Sequence, residues 1–316
     1  MVATRKTIVV ALGGNALGPP VENVTVYDQF RHTRESLKGV IELAKQGFRI
    51  AIVHGNGPQV GDELLRNELA ADILPELPLG VLVASTAGWI GYMIQQSLQN
   101  GLRREGVHRL VVTQITQVLV DPAAPEMQNP TKYIGRGLTE EQAERQRAAS
   151  WVVKRDGKGV LRRVVPSPKP LETVEGATIR RLVYRGIIVI ACGGGGVPVY
   201  RDPTLGLEGV DVVVDKDLAG AVLGCEIGAS VLLILTDVDG VYRDFGTERA
   251  ARIEHLSLGE AEALLGTDQL GSGSMRPKVE AAVRFLRGGG RQVLIARLDQ
   301  GLASLRGEAG TMITAK

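Results

Sequence analysis

Residues 7–15 read Thr-Ile-Val-Val-Ala-Leu-Gly-Gly-Asn, and this stretch decides the fold. Its strand-like run, 7–12, is nearly continuous in apolar and β-branched residues instead of alternating with polar ones. Such a run suits a parallel strand covered on both faces. Glycines directly after it let backbone N–H groups approach an anion, and the N-terminus of the next helix adds positive potential there. A plain strand-to-helix turn would look the same at this one place. The arrangement recurs, however: the strand candidate 49–53 ends in His54-Gly55-Asn56-Gly57-Pro58-Gln59-Val60-Gly61. Two strand ends of one sheet then carry small glycine-rich cradles, which is where open α/β sheets bind ligands. His54 reads as a structural residue closing its strand, with a general base as the alternative.

Working outward, runs of the same character stand at 110–115, 187–191, 231–235 and 292–296. Between the first two strands, Phe30, Leu37, Val40, Ile41 and Ala44 recur at helical spacing over 29–46. Similar patterns cover 84–105, 172–184 and 276–287. Repeated strand, helix, strand predicts an α/β chain with three layers and a mostly parallel central sheet. Two stretches break the alternation. Residues 121–170 are rich in proline and charge, with strand-like pieces at 151–154 and 159–165 and a helical pattern at 139–150, and read as a small inserted lobe. Residues 193–210 read as a long functional loop.

Composition narrows the function. The chain has 316 residues, 44% hydrophobic and 23% charged, with a net charge of +2. That balance gives no reason to expect nucleic acid or a membrane surface as partner. Arg pairs at 103–104, 162–163 and 180–181 read as solvated faces. Two cysteines, Cys192 and Cys225, make no disulfide framework and suit a reducing compartment. The start of the chain has no long apolar core with a cleavage site, so a cytoplasmic location is expected. Only ten of the 37 basic residues are lysine, so the lysines that fall in motifs stand out.

Those motifs lie in the second half. Cys192-Gly193-Gly194-Gly195-Gly196-Val197-Pro198 follows a strand, and four glycines have a high entropy cost that close backbone approach to a ligand would justify. Cys192 itself reads as a buried, inert thiol. A strand-like run, 210–214, leads into Asp215-Lys216-Asp217, which opens a helix. Asp217 is either a helix cap or the residue that holds lysines in place, with Lys216 on a transferring phosphoryl group. Thr236-Asp237-Val238 and Tyr242 leave a strand into a turn suited to a nucleotide. Ser274-Met275-Arg276-Pro277-Lys278 opens another helix, with Pro277 in the first turn and Lys278 at its positive end. Glycine-rich strand ends with isolated lysines are the parts phosphoryl transfer needs, together with Mg²⁺ on the nucleotide.

In combination, VVALGGNAL (9–17), HGNGPQVG (54–61), QNPTKYIG (128–135), VVPSPKP (164–170), CGGGGVPV (192–199), DKDLA (215–219), LTDVDGVY (235–242) and GSMRPKVEAA (273–282) resemble the carbamate kinases of the amino-acid kinase superfamily. The likeness runs in order along essentially the whole chain. It implies a single amino-acid kinase domain, 1–316, folded as an open αβα sandwich with a protruding subdomain at about 121–170. It also implies carbamate or carbamoyl phosphate over the N-terminal loops, ATP or ADP with Mg²⁺ over about 210–316, and a homodimer. Many superfamily members carry a lysine where this chain has Ala11, and Lys132 of the lobe is the candidate replacement. The roles implied are Lys132, Lys216 and Lys278 as charge stabilisers and Asp217 as their organiser. Backbone around Gly13, Gly14, Asn15, Gly55, Asn56 and Gly57 would bind substrate and phosphate. Thr236, Asp237, Val238, Tyr242, Ser274 and Met275 would frame the nucleotide, and Mg²⁺ would ride mainly on its phosphates without dedicated protein ligands. Two rivals stay open: a kinase of the same fold acting on an amino-acid carboxylate or UMP, and a non-catalytic sensor of ATP or carbamoyl phosphate.

Overall fold

Along β1 (Thr7–Leu12) every residue is buried, and side chains divide by parity between two cores. Val9 and Ala11 join one core, and Ile8, Val10 and Leu12 join the other. The computed structural model describes residues 6–14, 17–18, 24–157, 159–245, 249–270 and 274–316. β1 lies near the middle of an eight-stranded sheet with the order β15-β17-β16-β12-β1-β2-β9-β3. Its other members are β2 (Arg49–His54), β3 (Val111–Thr113), β9 (Ile188–Ile190), β12 (Val231–Thr236), β15 (His255–Ser257), β16 (Gln292–Arg297) and β17 (Thr311–Thr314). All neighbouring pairs are parallel except β16 with β17.

One face of the sheet is covered by α6 (Gly176–Tyr184), α7 (Lys216–Glu226), α8 (Leu258–Leu265) and α9 (Met275–Arg287). The other carries α2 (Lys38–Lys45) and the long α4 (Leu79–Arg104), with α1 (Val26–Ser36) packed beside α4. The result is the expected α/β sandwich of three layers. Where 29–46 reads as one helix, the chain forms α1 and α2 with a break at Leu37, and α1 starts earlier because Thr25 and Asp28 form a capping box. The pattern over 172–184 also overreaches. Glu172–Thr173 is strand β8, and α6 begins only at Gly176, because the N–H groups of Leu171 and Val174 bond the Leu119 and Gln117 carbonyls of the neighbouring strand.

The stretch 193–210 is not an extended loop. After one 3-10 turn, Gly193–Gly195, it forms the hairpin β10 (Val197–Asp202) and β11 (Gly206–Gly209), the edge of a second sheet with β4 (Gln117–Leu119) and β8. Residues 210–214 make no strand, although Val212, Val213 and Val214 are buried. They are pinned as irregular backbone, with Val213 N–H on the Pro166 carbonyl and the Asp211 carboxylate accepting from Gly80 N–H.

In the stretch 121–170, β5 (Lys132–Leu138), β7 (Leu161–Val165) and β6 (Val152–Arg155) form a separate antiparallel sheet with α5 (Glu140–Ala148). Ile134 and Val165 of this lobe pack on Val60 and Leu64 of α3 (Gly57–Leu69) and on Leu82 and Val83 of α4. Gly61 of α3 faces Gly135, whose φ of +69° suits only glycine, and a Cβ on Gly61 would overlap the Gly135 backbone. The Arg162–Arg163 pair belongs to this joint and is not a solvated face. Arg163 is 8% exposed, stacks at 4.1 Å over Trp151, and donates to Glu68 and Gln146. Arg136 adds a bidentate pair with Asp62 at 2.9 and 3.0 Å. The antiparallel pair β13 (Val241–Arg243) and β14 (Ala251–Ile253) completes the strands.

Candidate active site

Three lysines from three distant segments gather at the C-terminal ends of β1 and β2. Asp215 is the N-cap of α7, accepting from the backbone N–H of Asp217 at 2.8 Å and of Leu218 at 3.4 Å. Its other oxygen takes Lys132 Nζ at 2.5 Å, delivered from the first residue of β5 in the lobe. Asp217, 1% exposed, holds Lys216 Nζ on Oδ1 at 2.6 Å and Lys278 Nζ on Oδ2 at 3.2 Å. Lys278 also donates to the Ser274 carbonyl at 3.0 Å, which anchors it to the start of α9. The Lys216 stem crosses the glycine loops: a Cβ on Gly55 would stand 3.3 Å from its Cδ and 3.9 Å from Gly14 N.

The electrostatics follow from burial and pairing. Burial alone would raise the Asp215 carboxyl, but Lys132, Lys216 and Lys278 hold it well below the usual carboxylate range. Burial lowers the Lys216 ammonium, helped by the Lys278 charge and opposed by Asp217 and Asp215. For Lys278 burial acts in the same sense, yet Asp217, Asp215 and Asp237 outweigh it and leave it raised. A single carboxylate with a cation on each oxygen therefore spaces two ammonium groups that would otherwise repel.

The glycine loops divide the work. Gly13 N–H donates to the Leu235 carbonyl at 3.0 Å and Gly55 N–H to the Leu12 carbonyl at 3.2 Å, so both continue the sheet ladder and cannot serve as anion donors. Among the described residues, the N–H groups of Gly14, Asn56 and Gly57 have no protein acceptor, and Gly57 opens α3. Asn15 lies outside the described residues. Gly57 also borders the lobe, since a Cβ there would stand 3.7 Å from the Tyr133 carbonyl.

The four glycines 193–196 are required by packing within the chain itself. A Cβ on Gly193 would stand 2.7 Å from His54 Nε2 and 2.8 Å from Ala87 Cβ. On Gly194, Gly195 and Gly196 it would overlap the Asn56 amide, the Val214 carbonyl and a Val118 methyl. Gly194, Gly195 and Gly196 also hold positive φ, from +68° to +93°. His54 is fully buried, with Nδ1 3.0 Å from the Gly55 carbonyl and Nε2 without a hydrogen-bond partner among the described residues. Burial lowers its pKa to about 4, so it stays neutral and sealed. Burial pushes the Cys192 thiol up, which leaves it inert.

On the second side of the site, Thr236 closes β12 and donates to Asp237 Oδ1 at 3.0 Å, with Val238 next in the turn. Tyr242 donates to Asp239 at 2.8 Å and sets its ring edge-to-face on Phe245. Ser274 caps α9 by position without a side-chain hydrogen bond, and Met275 packs on the core below. Among the described residues, no group of three His, Cys, Asp or Glu is placed to hold a metal ion. Two residues escaped the sequence reading. Asp215 carries the ordinary signal of an N-cap, but its pairing with Lys132 joins positions 83 apart. Thr86, mid-helix in α4 and fully buried, accepts a hydrogen bond from Asn56 at 2.9 Å.

A strand-end cradle joined to a buried lysine–carboxylate cluster defines the class. The chain belongs to the amino acid kinase family, whose model matches residues 6–297, and is a phosphotransferase within it. It is 44% identical over 310 residues to the carbamate kinase of Pyrococcus horikoshii, covering 97% of this chain and 98% of that one. Carbamate kinase from Giardia lamblia bound to citric acid superposes with a TM-score of 0.92 at 37% identity, over 98% and 99% of the two chains. The same Giardia enzyme bound to AMP-PNP gives 0.89 over the same shares. Within the family, the chain's place is among the carbamate kinases.

Proposed function

We propose that the protein transfers a phosphoryl group reversibly between ATP and carbamate, working chiefly to make ATP from carbamoyl phosphate. The observation that carries this reading is the convergence of Lys132, Lys216 and Lys278 on Asp215 and Asp217 beside the open amides of Gly14 and Gly57. Carbamate is already an anion, so its oxygen attacks the γ-phosphorus without a general base, and the sealed His54 is not needed. Charge on the equatorial oxygens is met by preorganised ammonium groups, which cost no reorganisation during the reaction. Asp217 keeps Lys216 and Lys278 apart and aimed, and Lys132 closes the site from the lobe.

Carbamate would lie over the N-terminal loops and the nucleotide over about 210–316, between the Thr236–Asp237–Val238 turn, Tyr242 and the start of α9. With Asp215 and Asp217 engaged by lysines, the residues present fit an Mg²⁺ carried by the nucleotide phosphates, where it would supply further positive charge. The AMP-PNP complex of the Giardia relative supports use of ATP. We further place the protein in the cytoplasm: both cysteines are free, and among the described residues no helix is long and apolar enough to cross a membrane. A homodimer would bury apolar side chains exposed along α4, among them Val81 and Tyr92.

The direct test is ATP formation from ADP and carbamoyl phosphate by purified protein. A panel of acceptors with Mg-ATP then separates this reading from its rival. The N-terminal loops, 13–15 and 54–61, contain no arginine to fork a second carboxylate, so aspartate, glutamate, N-acetylglutamate and UMP should be inert. Faster turnover of any of these than of carbamate overturns the reading.

A further inference from the structure

The side chain of Asn56 does something unusual for its place. Asn56 stands at the N-cap of α3, where an asparagine ordinarily bonds back to its own helix, yet it makes no such bond. Its Nδ2 instead donates to Thr86 Oγ1 at 2.9 Å, in a fully buried contact between α3 and α4. Thr86 Oγ1 lies 2.9 Å from both the Leu82 and Val83 carbonyls, so its single proton is committed to the helix. The hydroxyl can therefore only accept from Asn56. That fixes the amide: nitrogen toward Thr86, Oδ1 away from it. The amide also lies against Gly194, where any side chain would displace it.

Asn56 Oδ1 is thus an oriented acceptor. It has no hydrogen-bond partner among the described residues, and it is not one of the fully enclosed polar atoms. Its neighbours in the chain, Gly55 and Gly57, border the Lys216 stem and the lobe strand that carries Lys132. Resting on the carbamate reading above, we propose that Thr86 is a positioning residue that holds Asn56 Oδ1 to accept a hydrogen bond from the amino group of carbamate or carbamoyl phosphate. Carbamoyl phosphate offers an N–H donor at that point, and acetyl phosphate offers a methyl group. The pair Asn56–Thr86 therefore selects nitrogen over carbon in an otherwise matching carboxylate.

The experiment compares carbamoyl phosphate with acetyl phosphate, each with Mg-ADP, in the wild type and in Thr86→Val and Thr86→Ser. Valine keeps the shape and removes the acceptor, which frees the Asn56 amide to turn over. The expected result is a fall of about tenfold in the ratio of kcat/KM for carbamoyl phosphate over acetyl phosphate, with KM for ADP within about twofold. Serine restores the ratio. If acetyl phosphate is too slow to follow in the wild type, a rise of about tenfold in KM for carbamoyl phosphate at unchanged KM for ADP is the corresponding result. Thr86→Ala serves if the valine variant does not fold. A valine or alanine variant that loses both substrates equally, or loses neither, overturns the proposal, as does a serine variant as poor as valine. A wild type inactive with carbamoyl phosphate would instead overturn the underlying assignment, which keeps the two failures apart.

Discussion

Lys132 Nζ and Asp215 Oδ2 meet at 2.5 Å although 83 positions separate them in the chain. The contact ties the first residue of β5 in the lobe to the residue that caps α7, so one carboxylate organises a helix start and a cation from the lobe together. Ala11 is buried in β1 with no room for a lysine of its own, and the charge arrives from the lobe instead. Lys132→Ala should lower turnover on the order of 100- to 1,000-fold while the protein stays folded, since Asp215 keeps its capping bonds. Near-normal turnover in that variant, by coupled ATP formation, would remove Lys132 from the chemistry.

Asp217 has one oxygen for each of two ammonium groups, and an asparagine offers only one acceptor. Asp217→Asn should leave one lysine facing an N–H donor and cut turnover by about 100-fold, with a smaller change in KM for ATP. Undiminished activity would reduce Asp217 to a residue of the first turn of α7.

The buried His54 predicts a pH dependence of stability. Its folded pKa of about 4 lies below the ordinary 6.5, so the unfolded chain binds the proton more readily as pH falls. The stability is present above 6.5 and is lost as pH drops from there toward 4. Between pH 7 and pH 5 this amounts to roughly 2 kcal/mol. Urea unfolding at the two pH values should show that excess loss for the wild type relative to His54→Gln. Parallel losses in both proteins would refute it.

At the lobe joint, Gly61→Ala places a Cβ inside the Gly135 backbone, which cannot yield as a side chain could. The expected cost is about 1–3 kcal/mol, concentrated at the joint and not in the sheet. Limited proteolysis should cut within 121–170 faster than in the wild type, and turnover should fall because Lys132 drifts. Unchanged cleavage would mean that the lobe adapts to the new methyl.

Much of this was legible from local pattern. Continuous apolar runs located six of the eight strands of the main sheet to within a residue or two, because burial on both faces leaves no other composition; the short edge strands β15 and β17 carry no such run and were missed. Lys216 and Lys278 stood out because the chain has only ten lysines and these two open helices within motifs, with Asp217 beside the first. The failures have a common cause. The run 210–214 has the composition of a strand, yet its hydrogen bonds go to Pro166 and Gly80, partners that no local rule supplies. Arg163 looked like surface because Trp151 and Glu68, which hold it, come from other segments. The glycines 193–196 announced a close approach correctly but not to what: their neighbours are His54, Asn56, Val214 and Val118, all of this chain.

That last run has a genetic consequence. Every missense change reachable from a glycine codon by one base brings at least a Cβ, and at each of these positions the Cβ collides with a fixed neighbour. The segment therefore has no neutral steps available to it, and drift there is closed even where the substrate is never touched. In a library of random variants selected only for growth on carbamoyl phosphate-derived ATP, residues 193–196 should return as an unbroken block of wild-type codons and their synonyms.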